Sequence, residues 1–138
     1  MVGILPADDR VMGSERYIRG PIGLDLLLNW TGDDVLGFDE YDWKAVGAEY
    51  RLGGGEYYLL LIAQYQDSDT AEIASTRLLD YFQNHNFETI MTPATPDGFH
   101  PRAFKDESCA AFWPDGDKIW LLWDLSDTDD LMSALQKY

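Results

Sequence analysis

Two histidines, one cysteine and a carboxylate-rich connector are the residues of this chain whose types could do chemistry. His100 stands in Asp97-Gly98-Phe99-His100-Pro101, where a loop can set a carboxylate against an imidazole for general acid–base work. His100 and Asp97 therefore define one candidate activity, a small hydrolase or lyase working beside an aromatic pocket. His85 follows a helical stretch, where a cationic ring complements the helix dipole, so its expected role is structural. Cys109 with a histidine makes a nominal nucleophile pair. It sits in Ser108-Cys109-Ala110-Ala111-Phe112, a strand-like run in which a thiol serves as a small buried apolar group. Asp33, Asp34, Asp39, Glu40 and Asp42 offer oxygen ligands to a hard cation such as Ca²⁺, making the chain a candidate acidic cation-binding protein. They lack the alternating ligands, central glycine and closing glutamate of an EF-hand loop. A solvated acidic connector is the plainer reading of the same run.

The remaining signatures are negative. The sequence has no glycine-rich phosphate loop, no dinucleotide fingerprint, no Gly-x-Ser-x-Gly elbow and no His-Glu-x-x-His. A single cysteine forbids an intrachain disulfide and a zinc ribbon. No cofactor is expected. Asn29-Trp30-Thr31 matches a glycosylation acceptor, but Trp30 reads as a core residue. The aromatics raise the idea of sugar stacking, yet at alternating strand positions such residues normally fill cores.

At 138 residues the chain has the length of one domain, and 46% hydrophobic content suits a folded core. The expected organisation is a single α+β domain: a lead-in with a short helix over 1–42, a first hairpin–helix unit over 43–86 and a second over 87–138. A net charge of −15 argues against unaided binding to nucleic acid or to anionic lipid. No apolar run is long enough to insert into a membrane. The chain reads as soluble, and as periplasmic or exported if a signal peptide has been removed.

The elements that must position these groups centre on Trp43 to Asn84. Val46, Ala48, Tyr50 and Leu52 alternate along a first strand. Gly53-Gly54-Gly55 closes a turn, because glycine takes positive φ cheaply. Tyr57 to Ala63 is apolar on both parities, the pattern of a central strand covered on two sides. A helix follows, expected to be capped by Asp69 with Glu72, its inner face carrying Ala71, Ala74, Leu78, Tyr81 and Phe82. Upstream, Pro21 to Trp30 is a short helix candidate. Downstream, Phe87 to Thr92 could form a strand and Pro93 to Pro101 a loop. Glu107 to Trp113 and Lys118 to Leu125 then flank a Pro114-Asp115-Gly116-Asp117 turn. A last helix runs from Thr128 to Lys137 with Leu131, Met132 and Leu135 inward.

Ser68-Asp69-Thr70 and Ser126-Asp127-Thr128 rhyme, so the order is ββα-ββα. The expected fold is an antiparallel sheet with both helices on one face. Ile119, Leu121, Trp123 and Leu125 would share one side of the last strand, and Trp120 and Leu122 the other. That other side then needs a cover: the N-terminal segment, a second subunit or a ligand. If a second subunit is that cover, Trp120 and Leu122 form the interface of a homodimer.

Leu5-Pro6, Gly13, Tyr17, Leu26-Leu27-Leu28-Asn29-Trp30-Thr31-Gly32, Gly37-Phe38 and Tyr50-Arg51 resemble, over residues 4–82, a bacterial domain family of unknown function. The chain departs from it at Trp30-Thr31-Gly32, where the family tends to an Asn-Gly pair, and it is shorter than typical members. The resemblance implies an α+β fold and frequent export, and it carries over no catalytic residue. On the residues themselves, the leading expectation is a non-catalytic binding or protein-interaction module for an unknown protein or small-molecule ligand.

Overall fold

A computed structural model of the chain describes residues 4–18 and 43–138. In chain order the elements are β1 (Arg16–Ile18), β2 (Trp43–Arg51), β3 (Tyr57–Tyr65), α1 (Ser68–Asn84), β4 (Glu88–Ile90), β5 (Arg102–Lys105), β6 (Cys109–Asp115), β7 (Lys118–Leu125) and α2 (Thr128–Leu135). The seven strands form one antiparallel sheet in the order β1-β2-β3-β7-β6-β5-β4. The α+β class and the antiparallel sheet expected from the sequence are present. The simple ββα-ββα order is not, because β1, β4 and β5 extend the sheet beyond the two hairpins. The helix expected over Pro21 to Trp30 lies outside the described residues.

Both hairpin turns form where glycine makes them cheap. Gly54 and Gly55 hold φ of 81° and 85° between β2 and β3, and Gly116 holds 59° between β6 and β7. The β6–β7 turn is tied sideways to β3: the Tyr65 amide donates to the Asp117 carbonyl at 2.8 Å, and the Gln64 amide to its carboxylate at 2.9 Å.

The two helices lie on opposite faces of the sheet, which corrects the expectation that they share one. Ala71, Ala74, Leu78 and Phe82 of α1 cluster with Leu61, Ala63, Ile119, Leu121, Phe104 and Phe112. Leu131, Ala134 and Leu135 of α2 cluster with Leu60, Ile62, Leu122, Ala111 and Trp113. Neighbouring strand residues point to opposite faces, so these are two separate layers of core.

The physical reason is one extra residue on β7. Ala111 pairs with Leu122 and Cys109 with Leu125, so over this stretch β6 advances two residues while β7 advances three. Such a bulge breaks the alternation of side chains. Asp124 absorbs it at φ 66°, in the left-handed region. Trp123 still packs on the α1 side, but Leu125 belongs to the α2 side. The chain therefore leaves β7 toward the face opposite the one that β3 feeds. Leu125 does not share a side with Ile119, Leu121 and Trp123, and the two hairpin–helix units are not rotated copies of each other.

Helix ends follow side-chain chemistry. The α1 cap is Asp67, two residues before the Asp69 expected from the sequence: its Oδ1 accepts from the Thr70 amide at 2.8 Å and the Thr70 hydroxyl at 2.7 Å. Both bonds favour the charged carboxylate and hold its pKa below the usual range. Asp127 caps α2 in the same way, accepting from the Asp130 amide at 2.9 Å. The matching positions are thus Asp67 and Asp127, and Ser-Asp-Thr is out of step between the two helices. At the other end of α1, Asn86 takes φ 61°, the Phe87 amide donates to the Phe82 carbonyl at 3.2 Å, and the two rings meet at 4.9 Å. That is a Schellman ending with its apolar contact.

The second face, which the sequence left to be covered by the N-terminal segment, a second subunit or a ligand, is covered by the chain itself. α2 lies over it, Leu5 of the lead-in is buried in the same cluster, and Phe99 stacks on Trp113. Leu122 is fully buried there, and Trp120 is half-buried against Trp113 and Tyr138. Leu122 is therefore core, and Trp120 packs at the edge of the same cluster.

Candidate functional site

Tyr50 of β2 and Tyr58 of β3 are directly paired across the hairpin and point to the α2 face. Their rings stack at 5.7 Å. The last turn of α2 runs on through Lys137 and Tyr138, whose amides donate to the Ala134 and Leu135 carbonyls, and delivers Tyr138 over the same strands. The Tyr58 and Tyr138 hydroxyls meet at 2.7 Å in a buried bond.

The lead-in supplies the third side. It runs along β2, with the Val11 amide donating to the Glu49 carbonyl and the Arg51 amide to the Asp9 carbonyl, each at 2.8 Å. The Tyr50 hydroxyl donates to the Pro6 carbonyl at 2.7 Å. Asp9 holds φ 65°, a conformation that Asp tolerates better than most residues. Together Pro6, Ala7, Asp8, Asp9, Tyr50, Tyr58, Lys137 and Tyr138 enclose a cavity of about 450 Å³.

Lys137 closes one side of it. Its ammonium donates to the Asp9 carboxylate and to the Arg51 carbonyl, both at 2.9 Å, and lies 5.8 Å from the centre of the Tyr58 ring. Burial raises the phenol pKa values, Tyr50 and Tyr58 each to about 12. Tyr138 is raised too, chiefly by burial and then by Tyr58. A phenol whose charged form is disfavoured stays protonated at neutral pH, so these groups give and take hydrogen bonds.

The residues singled out in the sequence lie elsewhere. Asp97 and His100 are both exposed on the loop between β4 and β5. That loop is built on buried Thr95, whose hydroxyl accepts from the Phe99 amide at 3.0 Å, while the Asp97 amide donates to the Tyr138 carbonyl at 3.0 Å. Neither His100 nor Asp97 lines the tyrosine cavity. His85 closes α1, its Nδ1 donating to the Tyr81 carbonyl at 2.8 Å. Cys109 is buried, and burial pushes its thiol up, away from the reactive thiolate. Asp33, Asp34, Asp39, Glu40 and Asp42 lie outside the described residues, and among the described residues no three metal-ligating side chains gather. No helix among the described residues is long and apolar enough to cross a membrane.

Sequence reasoning missed Tyr50, Tyr58, Lys137 and Tyr138 as a group. The only signal was indirect, an apolar strand carrying tyrosines beside a glycine turn. Tyr138 reaches them through the pairing of β3 with β7, and no local spacing announces that. No protein-family model, curated protein or solved structure matches the chain.

Proposed function

We propose that this protein is a non-catalytic binding module whose ligand site is the cavity between the lead-in, the β2–β3 hairpin and the end of α2. One observation carries the reading: three buried tyrosines converge with an ammonium and a carboxylate on a single cavity of about 450 Å³. Binding sites typically join a mainly aromatic or apolar lining to a few placed polar groups, at volumes of roughly 300–1,000 Å³. The raised phenol pKa values keep Tyr50 and Tyr58 as neutral hydrogen-bonding groups, which suits recognition. The net charge of −15 supports a ligand other than nucleic acid.

The test is a small-fragment screen read by amide chemical shifts. The expected hits perturb residues 6–9, Tyr50, Tyr58, Lys137 and Tyr138 together, and Tyr58→Phe weakens them. Hits that gather on the His100 loop instead, or that ignore Tyr58→Phe, overturn the reading.

A further inference from the structure

The cavity is rich in acceptors and poor in donors. Tyr50 gives its one hydroxyl hydrogen to Pro6. The Tyr58–Tyr138 bond consumes one of that pair's two hydrogens. One phenolic hydrogen is left among the three tyrosines, whose oxygens also accept, that of Tyr50 from the Arg10 side chain. Asp8 and Asp9 add carboxylates, and among the described residues Lys137 is the one cation that lines the cavity, with Arg10 bonded to Tyr50 behind it. That ammonium already makes the contacts a captured amine would make: a carboxylate, a carbonyl and the face of a tyrosine. It holds them by a partly exposed ion pair, its side chain 31% and that of Asp9 53% accessible. Pairs so exposed are weak and yield to a competitor. The chain has 25 acidic and 10 basic residues, a field that concentrates cations at its surface.

We infer that the cavity is a receptor for a primary ammonium group, kept occupied in the free protein by Lys137 of the same chain. The inference rests on the binding reading above and names its ligand class. An incoming amine takes the Asp9 carboxylate and the Tyr58 face, and Lys137 swings out into solvent. Lys137 is then an internal competitor, and removing its charge strengthens binding.

The experiment titrates butylamine and its neutral counterpart butanol into the native chain, Lys137→Met, and Lys137→Met combined with Asp9→Asn, by calorimetry and amide shifts, with thermal unfolding as the check on folding. Butylamine is expected to bind Lys137→Met about two- to fivefold more tightly than the native chain, the loss of one weak self-contact. Asp9→Asn added to Lys137→Met is expected to abolish that gain, and butanol to bind far more weakly throughout. Lys137→Gln replaces Lys137→Met if the latter unfolds. A blocked lysyl peptide in parallel separates a partner's side chain from a free amine as the source of the group. Equal binding of butylamine and butanol overturns the ammonium inference and leaves a binding cavity. Failure of both, with other fragments still perturbing Tyr50 and Tyr58, overturns it as well. A cavity that no compound perturbs overturns both this inference and the function it rests on.

Discussion

Trp123 and Leu125 stand two residues apart on β7 and point to opposite faces of the sheet, Trp123 toward α1 and Leu125 toward α2. Asp124 between them takes φ 66°. In a regular strand these two side chains would share a face. The placement of α2, and with it Lys137 and Tyr138 of the cavity, follows from that one bulged residue.

The bulge makes Asp124 the most informative backbone position in the chain. Asp124→Gly relieves a left-handed conformation and is expected to stabilise the fold by up to about 1 kcal/mol. Asp124→Val is expected to destabilise it by about 1–2 kcal/mol. Urea unfolding measures both. A valine variant as stable as the native chain would mean that β7 does not carry this bulge.

Tyr58 and Tyr138 should be energetically coupled. Tyr58→Phe leaves the Tyr138 hydroxyl buried without its partner and is expected to cost about 1–3 kcal/mol. Adding Tyr138→Phe should cost less than the sum of the two single changes, because the stranded hydroxyl goes too. A double-mutant cycle in urea gives the coupling, and strict additivity would argue against the buried bond.

Alkaline stability has a defined sign. Tyr50 and Tyr58 titrate near 12 in the fold against about 10 for a free phenol. The folded state therefore holds its protons more tightly than the unfolded chain. The stability this contributes is complete below pH 10 and is lost as pH rises from about 10 to 12. Absorbance titration of tyrosinate should show a late group whose ionisation coincides with loss of structure, and Tyr58→Phe should flatten the slope.

Phe82 is the keystone of the α1 side. Its ring contacts Phe87, Phe104, Phe112 and Trp123 at centroid distances from 4.8 to 5.9 Å. Phe82→Ala is expected to cost about 3–5 kcal/mol, read from the urea midpoint. A loss below 1 kcal/mol would mean that α1 does not pack on this face.

Added salt should stabilise the protein. A net charge of −15 makes the compact state repel itself, and ions screen that repulsion. The melting temperature is expected to climb between low and physiological sodium chloride, and a flat response would count against it.

What the sequence made legible was local. The glycine turns, the two-sided strands and the buried stripe Ala71, Ala74, Leu78 and Phe82 each announce themselves within a few residues, because turn chemistry and helical period are short-range properties. The bulge carried no such mark, since Asp124 does in the left-handed region what a glycine would have advertised. Asp67 and Asp69 are both good caps by type, and only backbone geometry separates them. β5 offers just Ala103 and Phe104 to the core, too little to stand out beside a proline-rich loop. The cavity was hidden for a stronger reason: its residues come from the lead-in, the first hairpin and the end of α2, which meet only once the sheet has closed. The histidines and the cysteine drew attention by their rarity, and His100 is exposed on a loop while Cys109 is sealed inside the core.

The strand order also governs how the molecule is made. At the middle of the sheet β3 pairs with β7, and α1 and three further strands separate them along the chain. A ribosome that has released only the first hairpin and α1 has therefore produced a half-sheet with an open, greasy edge. Contacts so distant in sequence form slowly, and during synthesis that edge must wait for β7. Nascent-chain stalling just before and just after β7 would locate the moment at which the fold becomes resistant to protease.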